Sequence, residues 1–552
     1  MSNVDLDTQD ISIGGDVIGR DKHVSAGGDV VGRDKISVGD ISGVTGGVVV
    51  GSGQITHIHE APAPPIPFQR PPRPQHFVDR RAELAQLVAD LQPGRVVTLC
   101  GPGGIGKTAL AAEVIWQMAP GDNLPDCFPH GIVFHTFYSR PEAAIALESI
   151  ARAYGHDPRP DPAAAAQIAL AGKRALLVLD GAEQADNLPA VLQVAGSCSV
   201  LVTSRAHRNA PEDWLDITPL PNAEAVQLIR AWGKDCAADS AAAGRICDLV
   251  GRLPLAVRLA GRYMAQRRQT AADYLAWLQD TPLAALDQGT RQRDSIPLLL
   301  ERSLAQVSET ARQALAVAGM LDITPFGRQV IVVGLEAEPA EAGRVMGELV
   351  DYGLLLPVGE RYQVSHALVH TYAHGRLAPP PEILMRLAAH YEAFAKQQSA
   401  LGLEGFARLN EERTHILAIQ RACLAAGQWN TVRGLTWAIE DYLDLQGHST
   451  ERRTTLEMGL QAARASGHRQ DERAFLNDLG NVYRDLGDAH RAIEFYEQSL
   501  VITREIGDRR GEGQTVNNLG NAYSNLGDAR RAIEFYEQSL VITREIGDRR
   551  GE

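Results

Sequence analysis

The segment RAIEFYEQSLVITREIGDRRGE occupies residues 491–512 and returns letter for letter at 531–552, a period of forty residues. A repeat of that length makes each unit a supersecondary element that buries its apolar face only against its neighbours. This end of the chain must therefore stack as an array. Each copy follows an LGN-x-Y-x-x-LGD segment, which aligns Leu479, Gly480, Tyr483, Ala492 and Tyr496 with Leu519, Gly520, Tyr523, Ala532 and Tyr536. Gly480 and Ala492 are small enough to let two antiparallel helices approach, while Leu, Tyr and Phe fill the space between successive hairpins. Such arrays need a polar terminal cap. None is visible at the end of the last repeat, so the expectation is that the natural protein continues or that the sequence is a fragment.

With 552 residues the chain has room for several cores upstream of the array. Residues 1–60 are rich in Gly, Val, Ile and Asp, and GGDVIGRDK at 14–22 returns as GGDVVGRDK at 27–35. Short β-branched runs between Gly and Asp suggest strands stacked as a β-solenoid or amyloid-like cross-β element, with flexible coil as the alternative. His57 and His59 form a lone H-x-H pair, better read as surface histidines than as a metal site. Residues 61–75 contain APAPPIPFQRPPRP, whose proline density predicts an extended linker. From 76 to 235 the apolar runs RVVTLC, GIVFHTF, RALLVLD and SVLVTSR alternate with helical patterns, which predicts a parallel α/β sheet. Beyond 235 the pattern is helical, apart from LLLPVGERYQVSHALV, which reads as a hairpin closed by Gly-Glu.

The chemistry is concentrated in GPGGIGKTAL at 101–110, a strand-loop-helix match to G-x-x-x-x-G-K-[ST]. Backbone N–H groups around Gly101, Gly103, Gly104, Gly106 and Ala109 are expected to hold phosphates, with Lys107 on the β- and γ-phosphates and Thr108 on Mg²⁺. Asp180, ending RALLVLD, is expected to hold the same Mg²⁺ through water. The next position, where a second acid is usual, is Gly181. Glu183 is the remaining candidate to polarise water, weighed against a solvated loop acid, and slow hydrolysis is expected. Arg205, at the end of SVLVTSR, is placed to report the γ-phosphate.

The order HFVDRRAELAQL, GPGGIGKTAL, LLVLDGAE, VLVTSR, PLPNAEAVQLI, GRLPLAVRLAG and VSHALVHTYA resembles the NB-ARC family of STAND-class switch ATPases over roughly 76–375, and the forty-residue units resemble tetratricopeptide repeats. The resemblance implies a multidomain α/β plus α chain. It would comprise a nucleotide-binding domain at 76–235, a helical subdomain at 236–290, a winged helix at 291–380, a helical repeat-like region at 381–470 and tetratricopeptide repeats at 471–552. It also implies ATP/ADP with Mg²⁺ as cofactors. Phe77, Val78 and Arg80 would lie against adenine, although a Gly common in that motif is Asp79 here. Pro254 would pack on the base and His366 would contact the ADP β-phosphate. Ala367 replaces an acid frequent beside that histidine, which implies a looser resting lock.

By the same resemblance the function is a nucleotide-dependent switch and not a metabolic enzyme. A protein or peptide ligand would bind the repeats, ATP would drive homo-oligomerisation, and the N-terminal segments would stack with an effector, in bacterial defence or regulated cell death. Two alternatives stay open: a transcriptional regulator of the same architecture, and a repeat scaffold with a structural nucleotide. A net charge of −14 argues against a broad nucleic-acid surface. No apolar run approaches the ~18 residues of a membrane span. The N-terminus has no signal-peptide pattern and the six scattered cysteines show no C-x-x-C, so a cytoplasmic location with reduced thiols is expected.

Overall fold

The computed structural model describes residues 36–38, 48–51, 54–57 and 66–547, the last span apart from 79, 139, 206, 208–213 and 282–287. The chain divides into two units, 1–65 and 66–552. In the first, strands β1 (Ile36–Val38), β2 (Val48–Gly51) and β3 (Gln54–His57) pair antiparallel in the order β1-β2-β3. Both GGDV-x-GRDK segments lie outside the described residues.

In the second unit the four apolar runs become β4 (Val96–Cys100), β5 (Ile132–Thr136), β6 (Leu176–Asp180) and β7 (Ser199–Ser204), joined by β8 (Trp214–Asp216). All pair in parallel in the order β5-β6-β7-β4-β8. Central strands covered on both faces by helices read as unbroken apolar runs, and every residue of β6 and β7 is buried. The part of the proline-rich stretch that is described is no free spacer. Phe68 bridges to Ile132 beside the sheet, and the Arg70 guanidinium lies 4.2 Å from the Phe68 ring centroid and 4.1 Å from that of Trp116. Arg70 also donates to Ala119 O and Gly121 O. Proline supplied the extended backbone, and the side chains between the prolines dock it.

Four helices follow (Asn222–Gly233, Ser240–Leu249, Pro254–Arg267, Ala271–Gln279), and the first and third cross tightly because a Cβ at Gly261 would lie 2.8 Å from Trp232 Cβ. Next come the helices Gln288–Leu304, Glu309–Met320, Arg328–Leu335 and Pro339–Asp351, then a hairpin of β9 (Leu355–Val358) and β10 (Arg361–Val364), and the helix Ala367–Arg376. The hairpin turns at Gly359-Glu360, as its residues predict.

From Pro381 to Glu545 the chain is eight helices in antiparallel succession. A Cβ at Gly480 would overlap the Tyr496 ring, and one at Gly520 would lie 2.5 Å from Tyr536 Cε1, so the glycines set the helix separation. The units repeat in detail. Tyr483 stacks on Phe495 at 5.2 Å and Tyr523 on Phe535 at 5.3 Å, and Asp488, Asp508 and Asp528 each cap a helix N-terminus. The array is fastened to the nucleotide domain by buried Glu148, which accepts from Thr450 N at 3.0 Å and Thr450 Oγ1 at 2.6 Å while pairing with Arg152 at 2.9 Å.

Candidate nucleotide site

The three motifs meet because β4, β6 and β7 are adjacent and parallel, so their C-terminal ends lie along one edge. Gly101 and Gly104 have φ of 151° and 80°, and added Cβ atoms there would come within 2.9 Å of Ile217 O and 2.7 Å of Ile296 Cδ1. Only glycine fits this loop, and its backbone N–H groups open the helix Lys107–Met118. Lys107 is buried and donates to Gly101 O at 2.7 Å and Pro102 O at 3.2 Å. Burial holds its ammonium below the usual lysine range, opposed by Glu183 and Asp180 and reinforced by Arg205. Ala109 is half-buried in the first turn of that helix.

Asp180 is buried, and its Oδ1 accepts from Thr108 Oγ1 and Thr203 Oγ1, each at 2.7 Å. Thr203 Oγ1 in turn accepts the Gly181 N–H at 3.0 Å. Burial raises the Asp180 carboxyl, more than the hydrogen bonds lower it. The Thr108 hydroxyl and the Asp180 carboxylate are thus held together, as the two groups that would hold a magnesium ion.

The reading of Glu183 as a solvated loop acid is overturned. Its side chain is 11% exposed, with Oε1 2.8 Å from Arg205 Nε. Tyr138 OH donates to Oε1 at 3.2 Å and Arg205 N–H to Oε2 at 3.2 Å. The gap at Gly181 also has a cause: φ is 74°, and a Cβ there would meet the Tyr138 ring at 2.8 Å. Tyr138 occupies the space that a side chain at 181 would need.

Three further elements close over the loop. Leu255, in the helix begun by Pro254, donates its N–H to Gly104 O at 3.3 Å, and Pro254 Cγ lies 3.6 Å from a Cβ built at Gly106. Ile296 reaches Gly104 and Leu368 reaches Gly103. His366 caps the helix Ala367–Arg376 by accepting the Leu368 N–H on Nδ1 at 3.0 Å, so its side chain is engaged as well as near the loop. Burial first, then Arg258, Arg205 and Lys107, push its imidazole down to about 3.

Arg258, one turn beyond Pro254, escaped the sequence reading. It donates to Ser365 Oγ at 2.9 Å, and its buried Nε has no hydrogen-bond partner. Burial, with Arg262 nearby, lowers its guanidinium to about 10. The available signal was the i, i+4 spacing from Pro254, which puts both on one helix face. Arg80 is buried and donates to Ile105 O at 3.1 Å and Thr218 O at 3.0 Å, propping the loop by its backbone. Phe77 and Val78 are half-buried against the main core, and Asp79 lies outside the described residues. A cavity of about 430 Å³ opens on the Arg205 side of the loop, bordered by Gly103, Ile296, Leu300, Leu368 and Tyr372.

The residues fit a nucleoside phosphate. The cradle is one that Cβ atoms would fill, Lys107, Arg205 and Arg258 gather around His366, and a buried guanidinium nitrogen lacks an acceptor. Lys107, Arg205, Arg258 and the loop N–H groups would hold phosphates, and Thr108 and Asp180 the metal, which would supply neutralisation of phosphate charge.

A family model for the NACHT domain matches residues 95–235, and one for the tetratricopeptide repeat matches 471–545. The chain carries a NACHT P-loop NTPase domain followed by tetratricopeptide repeats. The motif order led to this pairing, with NACHT the description that matches where the motifs resemble NB-ARC. The chain is 27% identical over 466 residues to regulatory protein AfsR of Streptomyces griseus, covering 76% of this chain and 47% of that protein. It is 30% identical over 196 residues to a putative HTH-type transcriptional regulator of Mycobacterium tuberculosis, covering 33% of this chain and 20% of that one. The chain thus spans less than half the length of these relatives. A solved signal transduction ATPase with numerous domains and a tetratricopeptide repeat sensor, from Pyrococcus horikoshii, aligns over 88% of this chain and 80% of its own at 16% identity and a TM-score of 0.40. No helix among the described residues is long and apolar enough to cross a membrane.

Proposed function

We propose that this chain is a nucleotide-dependent switch, captured here in its closed form. The observation that carries this reading is the contact of one glycine loop with three separate elements, Leu255, Ile296 and Leu368, so that its occupancy and their placement are coupled. The nucleotide diphosphate favours the closed form through Lys107, Arg258 and His366. The triphosphate favours the open one, and the difference in affinity between the two forms is the signal. The repeats act as the sensor, fastened through Glu148 and Thr450 to the domain they control. The open form assembles through its nucleotide domain and gathers the N-terminal β-prone segments, which suits a role in bacterial defence or regulated cell death. Hydrolysis is slow and serves as a reset.

The test is the mass of the purified chain by light scattering with ADP and with a non-hydrolysable ATP analogue, beside Lys107→Ala. The expected result is growth to a defined oligomer with the analogue alone, absent in the variant. A chain that binds both nucleotides and keeps one mass throughout would sink the assembly step. The names of the relatives favour a second reading, a switch that regulates transcription. Binding of duplex DNA that depends on nucleotide state would select it.

A further inference from the structure

Arg205 stands between two environments. On one side its guanidinium pairs with Glu183 at 2.8 Å, 5.7 Å from the Tyr138 ring centroid. On the other it borders the cavity beside Pro102 and Gly103 at the tip of the glycine loop. Glu183 cannot drift away, because three donors hold its carboxylate: Tyr138 OH, Arg205 N–H and Arg205 Nε. The Tyr138 ring lies in the space that a side chain at 181 would take, with its hydroxyl on Glu183 Oε1 at 3.2 Å.

We infer that Glu183 is a built-in rival of the terminal phosphate of ATP for Arg205, that Tyr138 is the positioning residue holding it there, and that this competition sets the preference for ATP over ADP. The inference rests on the nucleotide-switch reading and adds the residues that tune it. A guanidinium presents its donors in a planar fork that suits carboxylate and phosphate alike, so the two acids compete for one geometry. With ADP bound, Arg205 stays with Glu183. To engage a third phosphate Arg205 must loosen or share that pair, and the pair's strength is subtracted from the advantage of ATP. The missing acid at 181 belongs to the same arrangement: glycine admits Tyr138, and Tyr138 fixes the rival.

The test is calorimetric titration of the full chain, with magnesium, using ADP and a non-hydrolysable ATP analogue, with melting curves to show that each variant is folded. In Glu183→Gln the ratio of analogue to ADP affinity should rise about tenfold, the size of a charge-assisted pair removed from competition. Tyr138→Phe, which loses only the hydroxyl, should move the ratio the same way by roughly two- to threefold. Arg205→Gln should collapse the ratio and make Glu183→Gln silent when combined with it, the signature of two residues acting on one interaction. A ratio that stays within about twofold in Glu183→Gln, or an equal rise in the Arg205→Gln background, would overturn the inference. If the wild-type chain binds neither nucleotide, the switch reading falls with it. If both bind and the ratio does not move, only the rivalry falls.

Discussion

The nucleotide site and the repeat array handle charge in opposite ways. In the array, charges are paired internally: half-buried Arg413 with buried Glu451 at 2.9 Å, half-buried Arg433 with Asp471 at 2.6 Å, and buried Arg452 with Glu440 at 2.5 Å and half-exposed Asp444 at 2.6 Å. At the glycine loop, Lys107 meets only carbonyl oxygens and Arg258 a hydroxyl, while Asp180 and Glu183 are already engaged by Thr108, Thr203, Tyr138 and Arg205. The array's cations have carboxylate partners, whereas Lys107 and Arg258 meet only neutral oxygens.

The widest separation between the two should come from removing one arginine from each. Arg452→Ala leaves buried Glu440 without its cation, and should destabilise the array by about 3 kcal/mol or more, measured by urea unfolding. Arg258→Ala should cost little or nothing in the nucleotide-free melting temperature and weaken ADP binding about tenfold, the worth of one charge-assisted contact. Equal stability losses in the two variants would erase the distinction.

Acid gives a smaller and sharper comparison. Burial holds His366 at the site and His135 on strand β5 down to about 3, and pushes His448 in the array well below the usual histidine range. These groups are neutral when folded and take up protons when unfolded below about 6.5. Their contribution is therefore present above that pH and lost as pH falls toward the folded values, by roughly 1 kcal/mol each between pH 6.5 and 5.5. Melting temperatures should drop over that interval. Bound nucleotide should blunt the part carried by His366, whose neighbours are cations, and leave the part carried by His448. His366→Gln should remove the nucleotide-sensitive portion, and an identical pH profile with and without nucleotide would refute it.

What could be read from the residues followed from how local each signal was. Strands β4 to β7 were legible because fully covered parallel strands leave continuous apolar runs. The loop was legible because phosphate chemistry fixes its spacing, and the array because its units recur. Strand β8 was not, being three residues long with Trp214 49% exposed. Arg258 reads as one more basic residue on a helix until its face is seen against Ser365. Tyr138 and Glu183 are forty-five residues apart, and Glu148 and Thr450 are 302 apart, so nothing in either local pattern announces the partner. The one local clue was an anomaly, glycine at 181 where an acid is usual, and its explanation lay in the turn that follows the neighbouring strand β5.

The identity of 491–512 and 531–552 has a consequence for heredity as well as for folding. Each unit closes its own hairpin through the same pair, Tyr483 on Phe495 and Tyr523 on Phe535, with the same aspartate caps. A gene encoding such units can gain or lose one by unequal recombination and still specify hairpins whose closing contacts already exist. The length of the array is therefore a countable trait, set by how many such units the gene encodes.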